Sequence, residues 1–310
     1  MQSFEGFMSD LAFIFPGQGV QSVGMAREFY DNFNYCKEIF ERASDILSVD
    51  FKKLCFEGFA QDESHFIQSA IFLSSFVAHE VFIKESDLKA RFALGHSLGE
   101  VSAVCIAGGF SFENALKFTH IRSKLMSKIE GGMLVVLGLE DAILEDFCAK
   151  KRDGGAKIFV ANYNAPLQVV LAGKKQDLEG LEAELKGLGA KRAQLLNVPV
   201  ASHCEMLNEI TDEIKDALNL LLTSDLGTNV ISNVTTKAYS KKAEAQDNLK
   251  EALIKPVLYK QSILAHEGEA SAFVEFGGSV LGGLNKRITK KPTISIQDIK
   301  SLKIALEELK

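Results

Sequence analysis

Apolar positions along this chain fall into short continuous runs, separated by longer stretches with helical spacing. Leu11-Ala12-Phe13-Ile14-Phe15 is one such run. It predicts a buried strand, ended by the turn-forming Pro16-Gly17-Gln18-Gly19. Residues 28–47 and 65–83 carry apolar side chains at helical intervals. Arg91-Phe92-Ala93-Leu94 reads as a further strand, followed by helices over residues 100–107 and 112–129. Strands alternating with helices predict an α/β protein with a mostly parallel sheet.

Residues 131–197 have a different rhythm. Strands at 133–139, 157–162, 168–172 and 192–196 are interleaved with helices at 141–150 and 176–188. That order, βαββαβ, is the ferredoxin-like arrangement. The reading is therefore a small ferredoxin-like subdomain at 131–197, with hinges at Gly131-Gly132 and Asn197-Val198-Pro199. It is inserted into a large α/β domain made of residues 8–130 and 198–310. Beyond the insertion we expect a helix at 205–222, a strand at 229–233, helices at 243–254 and 257–266, and a strand at Ala272-Phe273-Val274-Glu275-Phe276. The Lys/Glu-rich C-terminal tail reads as a solvated helix.

Composition narrows the class. Apolar residues at 46% and charged residues at 25% are ordinary for a globular protein, and 310 residues suffice for a sizeable core. A net charge of −6 argues against general nucleic-acid binding. The five cysteines are widely spaced without a C-x-x-C pair, which predicts reduced thiols in a cytoplasmic protein rather than a zinc site or disulfide framework. No run approaches the ~20 apolar residues of a membrane span, so no membrane partner is expected. Residues 1–10 lack the basic region of a signal peptide, and Met8 is an alternative start.

The strongest local pattern is Gly95-His96-Ser97-Leu98-Gly99, a G-x-S-x-G between a strand and a helix. That setting is a nucleophile elbow: a tight turn holds the Ser97 hydroxyl exposed, and the following helix aims its first N–H groups at nearby negative charge. It makes the large domain α/β-hydrolase-like. A serine hydroxyl needs a base, usually histidine. His96 adjoins the serine and should leave the turn in another direction. His65, His79, His120 and His266 fall in helical patterns. His203, in Pro199-Val200-Ala201-Ser202-His203-Cys204, lies in a loop between a strand and a helix. There it either reaches over a pocket or merely opens the helix.

Taken together, these segments resemble the malonyl-CoA:acyl carrier protein transacylases of fatty-acid synthesis and the acyltransferase domains of polyketide synthases. The likeness rests on Phe15-Pro16-Gly17-Gln18-Gly19, Gly95-His96-Ser97-Leu98-Gly99-Glu100, Ile121-Arg122-Ser123-Lys124-Leu125-Met126, Asn162-Tyr163-Asn164-Ala165-Pro166, Ser202-His203-Cys204 and Val274-Glu275-Phe276-Gly277. It runs from about residue 11 to 287. The resemblance implies a ping-pong acyl transfer through a malonyl-serine intermediate, an [acyl-carrier-protein] S-malonyltransferase activity. Ser97 would be the nucleophile and His203 its base. The backbone N–H groups of Gln18 and Leu98 would form the oxyanion hole. Arg122 would hold the malonyl carboxylate, since burying that charge unpaired is prohibitive and a guanidinium fork matches it. From the residues alone, Arg122 in Arg122-Ser123-Lys124 also reads as a solvated face. His96, Asn162 and Asn233 are candidates for lining the pocket, although hairpin turn chemistry accounts for Asn162-Tyr163-Asn164 equally well.

The family often has Gln or Asn after a late Asn-Pro-Val, where this chain has Lys255-Pro256-Val257-Leu258. A backbone carbonyl near Leu258 is therefore expected to orient His203. The implied partners are malonyl-CoA and holo acyl carrier protein, whose own phosphopantetheine carries the acyl group. No metal or other cofactor is expected, and family habit suggests a monomer. An acidic carrier requires a local basic patch, and Lys286-Arg287 with Lys290-Lys291, or Lys124 with Lys128, are the candidates. Three rivals remain: a serine thioesterase or other hydrolase, which fits the elbow equally well; an acyltransferase with another acyl-CoA preference, of methylmalonyl or polyketide type, to which Val200-Ala201-Ser202-His203 is loosely similar; and a non-catalytic subunit.

Overall fold

The run Leu11–Phe15 becomes an interior strand because all five of its residues find apolar neighbours on two faces. The structure is a computed structural model that describes residues 10–309. The readings placed on residues 1–9, including the alternative start at Met8, lie outside the described residues, as does Lys310. In chain order the large domain opens with β1 (Leu11–Phe15), α1 (Arg27–Asn32), α2 (Asn34–Leu47), α3 (Phe51–Glu57), α4 (Ile67–Ser86), β2 (Ala90–Gly95), α5 (Leu98–Ile106) and α6 (Phe112–Met126). There follow β3 (Gly132–Leu137), α7 (Asp141–Asp153), β4 (Ile158–Ala165), β5 (Gln168–Gly173), α8 (Lys175–Leu178), α9 (Leu181–Gly187) and β6 (Arg192–Leu195). The chain returns with α10 (Thr211–Leu221), β7 (Asn229–Ile231), β8 (Ala238–Tyr239), α11 (Lys242–Ile254), α12 (Tyr259–His266), β9 (Ala272–Phe276), α13 (Val280–Ile288), β10 (Thr293–Ile296) and α14 (Ile299–Glu308).

The large sheet has six strands in the order β10-β9-β1-β2-β7-β8. Its pairs are parallel apart from β7–β8. Alternation along β1 divides the core. Phe13 and Phe15 join the cluster containing α4, while Ala12 and Ile14 pack with Tyr259, Ile263, Leu281 and Leu284 from α12 and α13. Strands buried on both faces read as unbroken apolar runs, which is why β1 is so visible in the sequence. Glu275 in β9 is fully buried because it caps α13, accepting from the Leu281 and Gly282 N–H groups at 2.9 and 2.8 Å and from Ser295 Oγ at 2.9 Å.

The second sheet, β4-β5-β3-β6, is antiparallel throughout and has its own apolar cluster. The two chain passages that connect it to the large sheet run side by side. Gly131 N–H donates to the Pro199 carbonyl at 3.1 Å, and Glu130 bridges Val200. Strand β4 also docks on the large domain directly. Tyr163 N–H donates to Val257 O at 2.9 Å, and Val257 N–H to Ala161 O at 2.8 Å.

Several expectations need correction. The helix read over 28–47 breaks at Phe33, which adopts an extended conformation. The one read over 176–188 breaks at Gly180, with φ +84°. Those read from 65 and 205 begin as 3₁₀ turns, Gln61–Phe66 and Glu205–Ile210. Helix α3 and strands β8 and β10 were not expected. The C-terminal helix is not solvated all round: Leu302 and Ala305 are buried. The segment Asp62–Ser86 does reach membrane-spanning length and apolarity, with a mean hydropathy of 1.5. Two-thirds of its most apolar stretch is buried, because α4 lies against the sheet on one side and α6 on another, and a helix covered on several faces is apolar on most of them. Asn162-Tyr163-Asn164 is not a turn but part of β4. The hairpin turn is Pro166-Leu167, with Leu167 at φ +58°.

Candidate functional site

The strand β2 ends at Gly95 and α5 starts at Leu98, leaving Ser97 at φ 56°, ψ −110°, a conformation that L-residues avoid. Close approach dictates the flanking glycines. A Cβ on Gly95 would stand 1.9 Å from the Gly99 carbonyl carbon, and one on Gly99 1.9 Å from the Phe15 oxygen. The Pro16-Gly17-Gln18-Gly19 loop is pressed onto the same turn. A Cβ on Gly17 would stand 2.5 Å from the His96 oxygen, and His96 N–H donates to Phe15 O at 2.9 Å. Leu98 N–H, the first of α5, has no intrahelical carbonyl to meet. Gln18 sits exposed in the loop beside it.

His203 reaches this turn from the opposite side. Its Nδ1–H donates to the Ala252 carbonyl at 2.5 Å, so Nε2 is the acceptor for the Ser97 hydroxyl at 2.7 Å. The expected carbonyl exists, but six residues upstream of the expected place. Ala252 lies in the last turn of α11, and its helical partner four residues on would be the N–H of Pro256. Proline has none, so the carbonyl is free for the imidazole. Leu258 packs against the small subdomain, and its N–H goes to Asn233 O at 2.8 Å. His203 is 3% exposed and sits at φ +61°. Burial and the neighbouring Arg122 charge push its pKa down to about 3, against the raising effect of the Ala252 carbonyl.

Arg122 is not a solvated side chain. It is buried on α6, with Nη1 donating to Gln68 Oε1 at 2.5 Å and Nη2 to Ser97 Oγ at 3.1 Å. Burial pulls its pKa down to about 10, with Glu100 opposing, so the guanidinium stays charged at neutral pH. Ser97 Oγ therefore donates to a neutral imidazole and accepts from a cation. The imidazole readies the hydroxyl for nucleophilic attack, and the guanidinium leaves a fork beside it suited to an anion.

The other candidates divide. The His96 ring leaves the turn, as expected, and its Nε2 meets Asn164 Oδ1 at 2.7 Å, tying the elbow to β4. Asn162 is buried on β4, with no partner for its Oδ1 among the described residues. Asn233 does not offer its amide to a ligand. Oδ1 accepts from Ser97 N–H and Nδ2 donates to Gly95 O, each at 2.7 Å. Glu100 is fully buried, and desolvation lifts its pKa to about 7 although Tyr239 Oη–H donates to it. Sequence reading missed Gln68 and Asn164, and placed the carbonyl that orients His203 near Leu258 rather than at Ala252. Of the basic patches, Arg287 is already engaged with Gln168 and the Pro166 carbonyl, which leaves Lys286, Lys290 and Lys291 exposed beside it. Lys124 and Lys128 are also exposed.

The acyl transferase domain family matches residues 12–304. The malonyl CoA-acyl carrier protein transacylase of Bacillus subtilis (strain 168) is 34% identical, over 98% of both chains. Among solved structures, the malonyl-CoA:acyl carrier protein transacylase from Helicobacter pylori is 43% identical, covers 97% of this chain and 98% of its own, and superposes with a TM-score of 0.93. A malonyl-transacylase in complex with its type II polyketide-synthase acyl-carrier protein is 31% identical, over 97% of this chain and 100% of that one, with a TM-score of 0.92. Serine, histidine and arginine thus converge on one turn within a fold shared along nearly its full length, and the chain belongs to the acyl transferase family, among the malonyl-CoA:acyl carrier protein transacylases.

Proposed function

We propose that the chain transfers a malonyl group from malonyl-CoA to the phosphopantetheine thiol of acyl carrier protein, through an ester on Ser97. The observation that carries this reading is the double engagement of Ser97 Oγ, with His203 Nε2 on one side and Arg122 Nη2 on the other. Ser97 Oγ attacks the thioester carbonyl while His203 takes its proton. The C–S bond breaks, and CoA leaves as the thiol with that proton. The carrier thiol then gives its proton to His203 and attacks the ester, and Ser97 recovers a proton as it leaves. The N–H groups of Gln18 and Leu98 stabilise the oxyanion, where one donor is worth ~10²–10³ in rate. Arg122 holds the malonyl carboxylate. Every proton in this scheme moves between substrate and this chain's own groups, so it calls on no cofactor and no second subunit.

Mixing the protein with malonyl-CoA should release one CoA per protein in a burst, followed by slow turnover until holo carrier protein is added. Fast continuous release without carrier would instead identify a hydrolase. A faster burst with methylmalonyl-CoA than with malonyl-CoA would reassign the acyl group.

The acid limb of the loading reaction tests the base. His203 works as the neutral imidazole, and its lowered pKa keeps it neutral well below the usual histidine range. Burst rates should stay level as pH falls through 6.5 and decline only well below it. A decline centred near 6.5 would contradict a buried, Arg122-depressed imidazole. The same shift bears on stability. The unfolded chain takes up a proton at His203 before the folded one does, so stability is lost as pH falls from about 6.5 toward the folded value.

A further inference from the structure

We propose that Asn233 is a positioning residue for the nucleophile: its carboxamide clips the strained elbow from behind, and Glu100 fixes the clip. The inference rests on Ser97 being the reacting group. A backbone held at φ 56°, ψ −110° is strained and persists only where surrounding groups over-determine it. Asn233 supplies that determination. One side-chain amide bridges the Ser97 N–H and the Gly95 carbonyl, so it spans the two arms of the turn. The orientation of the amide is fixed by chemistry, because Ser97 N–H can only donate and Gly95 O can only accept.

The clip has no freedom of its own. Asn233 follows β7 and is 3% exposed. Its backbone N–H donates to Glu100 Oε2 at 3.2 Å, and its carbonyl accepts from Leu258 N–H at 2.8 Å. Glu100 Oε1 in turn accepts from Tyr239 Oη–H at 2.8 Å. The arrangement also assigns the Ser97 N–H: bound to Asn233, it is withdrawn from the oxyanion and serves only geometry. Removing the amide takes these bonds from the half-buried Ser97 N–H and the buried Gly95 carbonyl, and the turn relieves the loss by rotating Ser97 toward an ordinary φ. That moves Oγ off the line between His203 and Arg122, and a misplacement of ~1 Å can cost ~10²-fold in rate.

The test measures two rates on Asn233→Ala and Asn233→Asp: labelling of Ser97 by a fluorophosphonate, which needs no particular acyl group, and the CoA burst from malonyl-CoA. Asn233→Ala should react ~10²-fold more slowly per competent site with both reagents, with burst amplitude and KM for malonyl-CoA near wild type. In Asn233→Asp, a protonated carboxyl copies both amide bonds, whereas the carboxylate form opposes Gly95 O and Glu100. The rate of Asn233→Asp relative to wild type should therefore climb as pH is lowered. A wild-type rate per site in Asn233→Ala, or a smaller burst amplitude at an unchanged rate, would reduce Asn233 to a folding residue. Should Asn233→Ala not fold, a pH-independent ratio for Asn233→Asp overturns the proposal alone. Failure of the wild type to be malonylated would sink the functional reading and leave the fluorophosphonate comparison standing.

Discussion

Ser97→Ala should give no burst of CoA, gain no malonyl mass on incubation with malonyl-CoA, and transfer to carrier protein more slowly by on the order of 10⁶-fold. The expectation follows from how the site is wired. Ser97 Oγ is the atom on which the His203 acceptor and the Arg122 donor converge, at 2.7 and 3.1 Å, and removing it leaves base and anion site with nothing to act upon. His203→Ala should lose nearly as much, because a hydroxyl without its base is a poor nucleophile at neutral pH. The double variant should be little worse than either single one, since residues that act as a unit lose their effect together. A malonyl adduct that survives on Ser97→Ala would mean that the ester forms elsewhere and that the convergence at the elbow has another purpose.

Some of this site is legible in the residue order and some is not, and the division has a physical cause. The elbow is legible because hard contacts fix its glycines: Gly95 and Gly99 stand where a Cβ would overlap backbone, and Gly17 stands where the first loop meets the elbow. Ser97, His203 and Arg122 are each marked by local motifs, and the structure brings all three within bonding distance. What is invisible arises between distant segments. Gln68 meets Arg122 across 54 positions, and Asn233 meets Ser97 across 136. Gln68 does not stand out either, because α4 also carries Ser69, Ser74, Ser75 and His79 among its buried positions. The carbonyl that orients His203 has no side-chain signature at all. Its only sign is Pro256, which withdraws the donor that Ala252 would otherwise meet. In the fold, the long runs β1 and β9 are plain, while β8, two residues long, and β10, four long and half-buried, offer too little pattern to read.

Arg122→Ala should separate diacid from monoacid substrates. The guanidinium is buried and charged, with one arm on Gln68 and the other toward Ser97, an arrangement that costs desolvation and is kept, among the described residues, without a carboxylate in direct contact. A malonyl carboxylate arriving beside Ser97 would complete the pair with two parallel N–H···O bonds. Deleting the fork leaves that carboxylate buried and unpaired, a loss of ~3–5 kcal/mol, or ~10²–10⁴ in kcat/KM for malonyl-CoA. Acetyl-CoA has no carboxylate to strand, so its transfer should hold level or improve. The improvement has a source in the same geometry. Arg122 is one of the charges that depress His203, and a bound carboxylate neutralises it, whereas acetyl leaves the base facing a bare cation. Malonyl therefore gains binding from Arg122 and cancels its effect on the base, whereas acetyl gains no binding and leaves the base depressed. Side-by-side kcat/KM values for the two thioesters, in wild type and Arg122→Ala, decide the matter. A preference that collapses places the acyl selectivity in the guanidinium, whereas equal losses for both would mean that Arg122 only holds the Ser97 hydroxyl and that the carboxylate is recognised elsewhere.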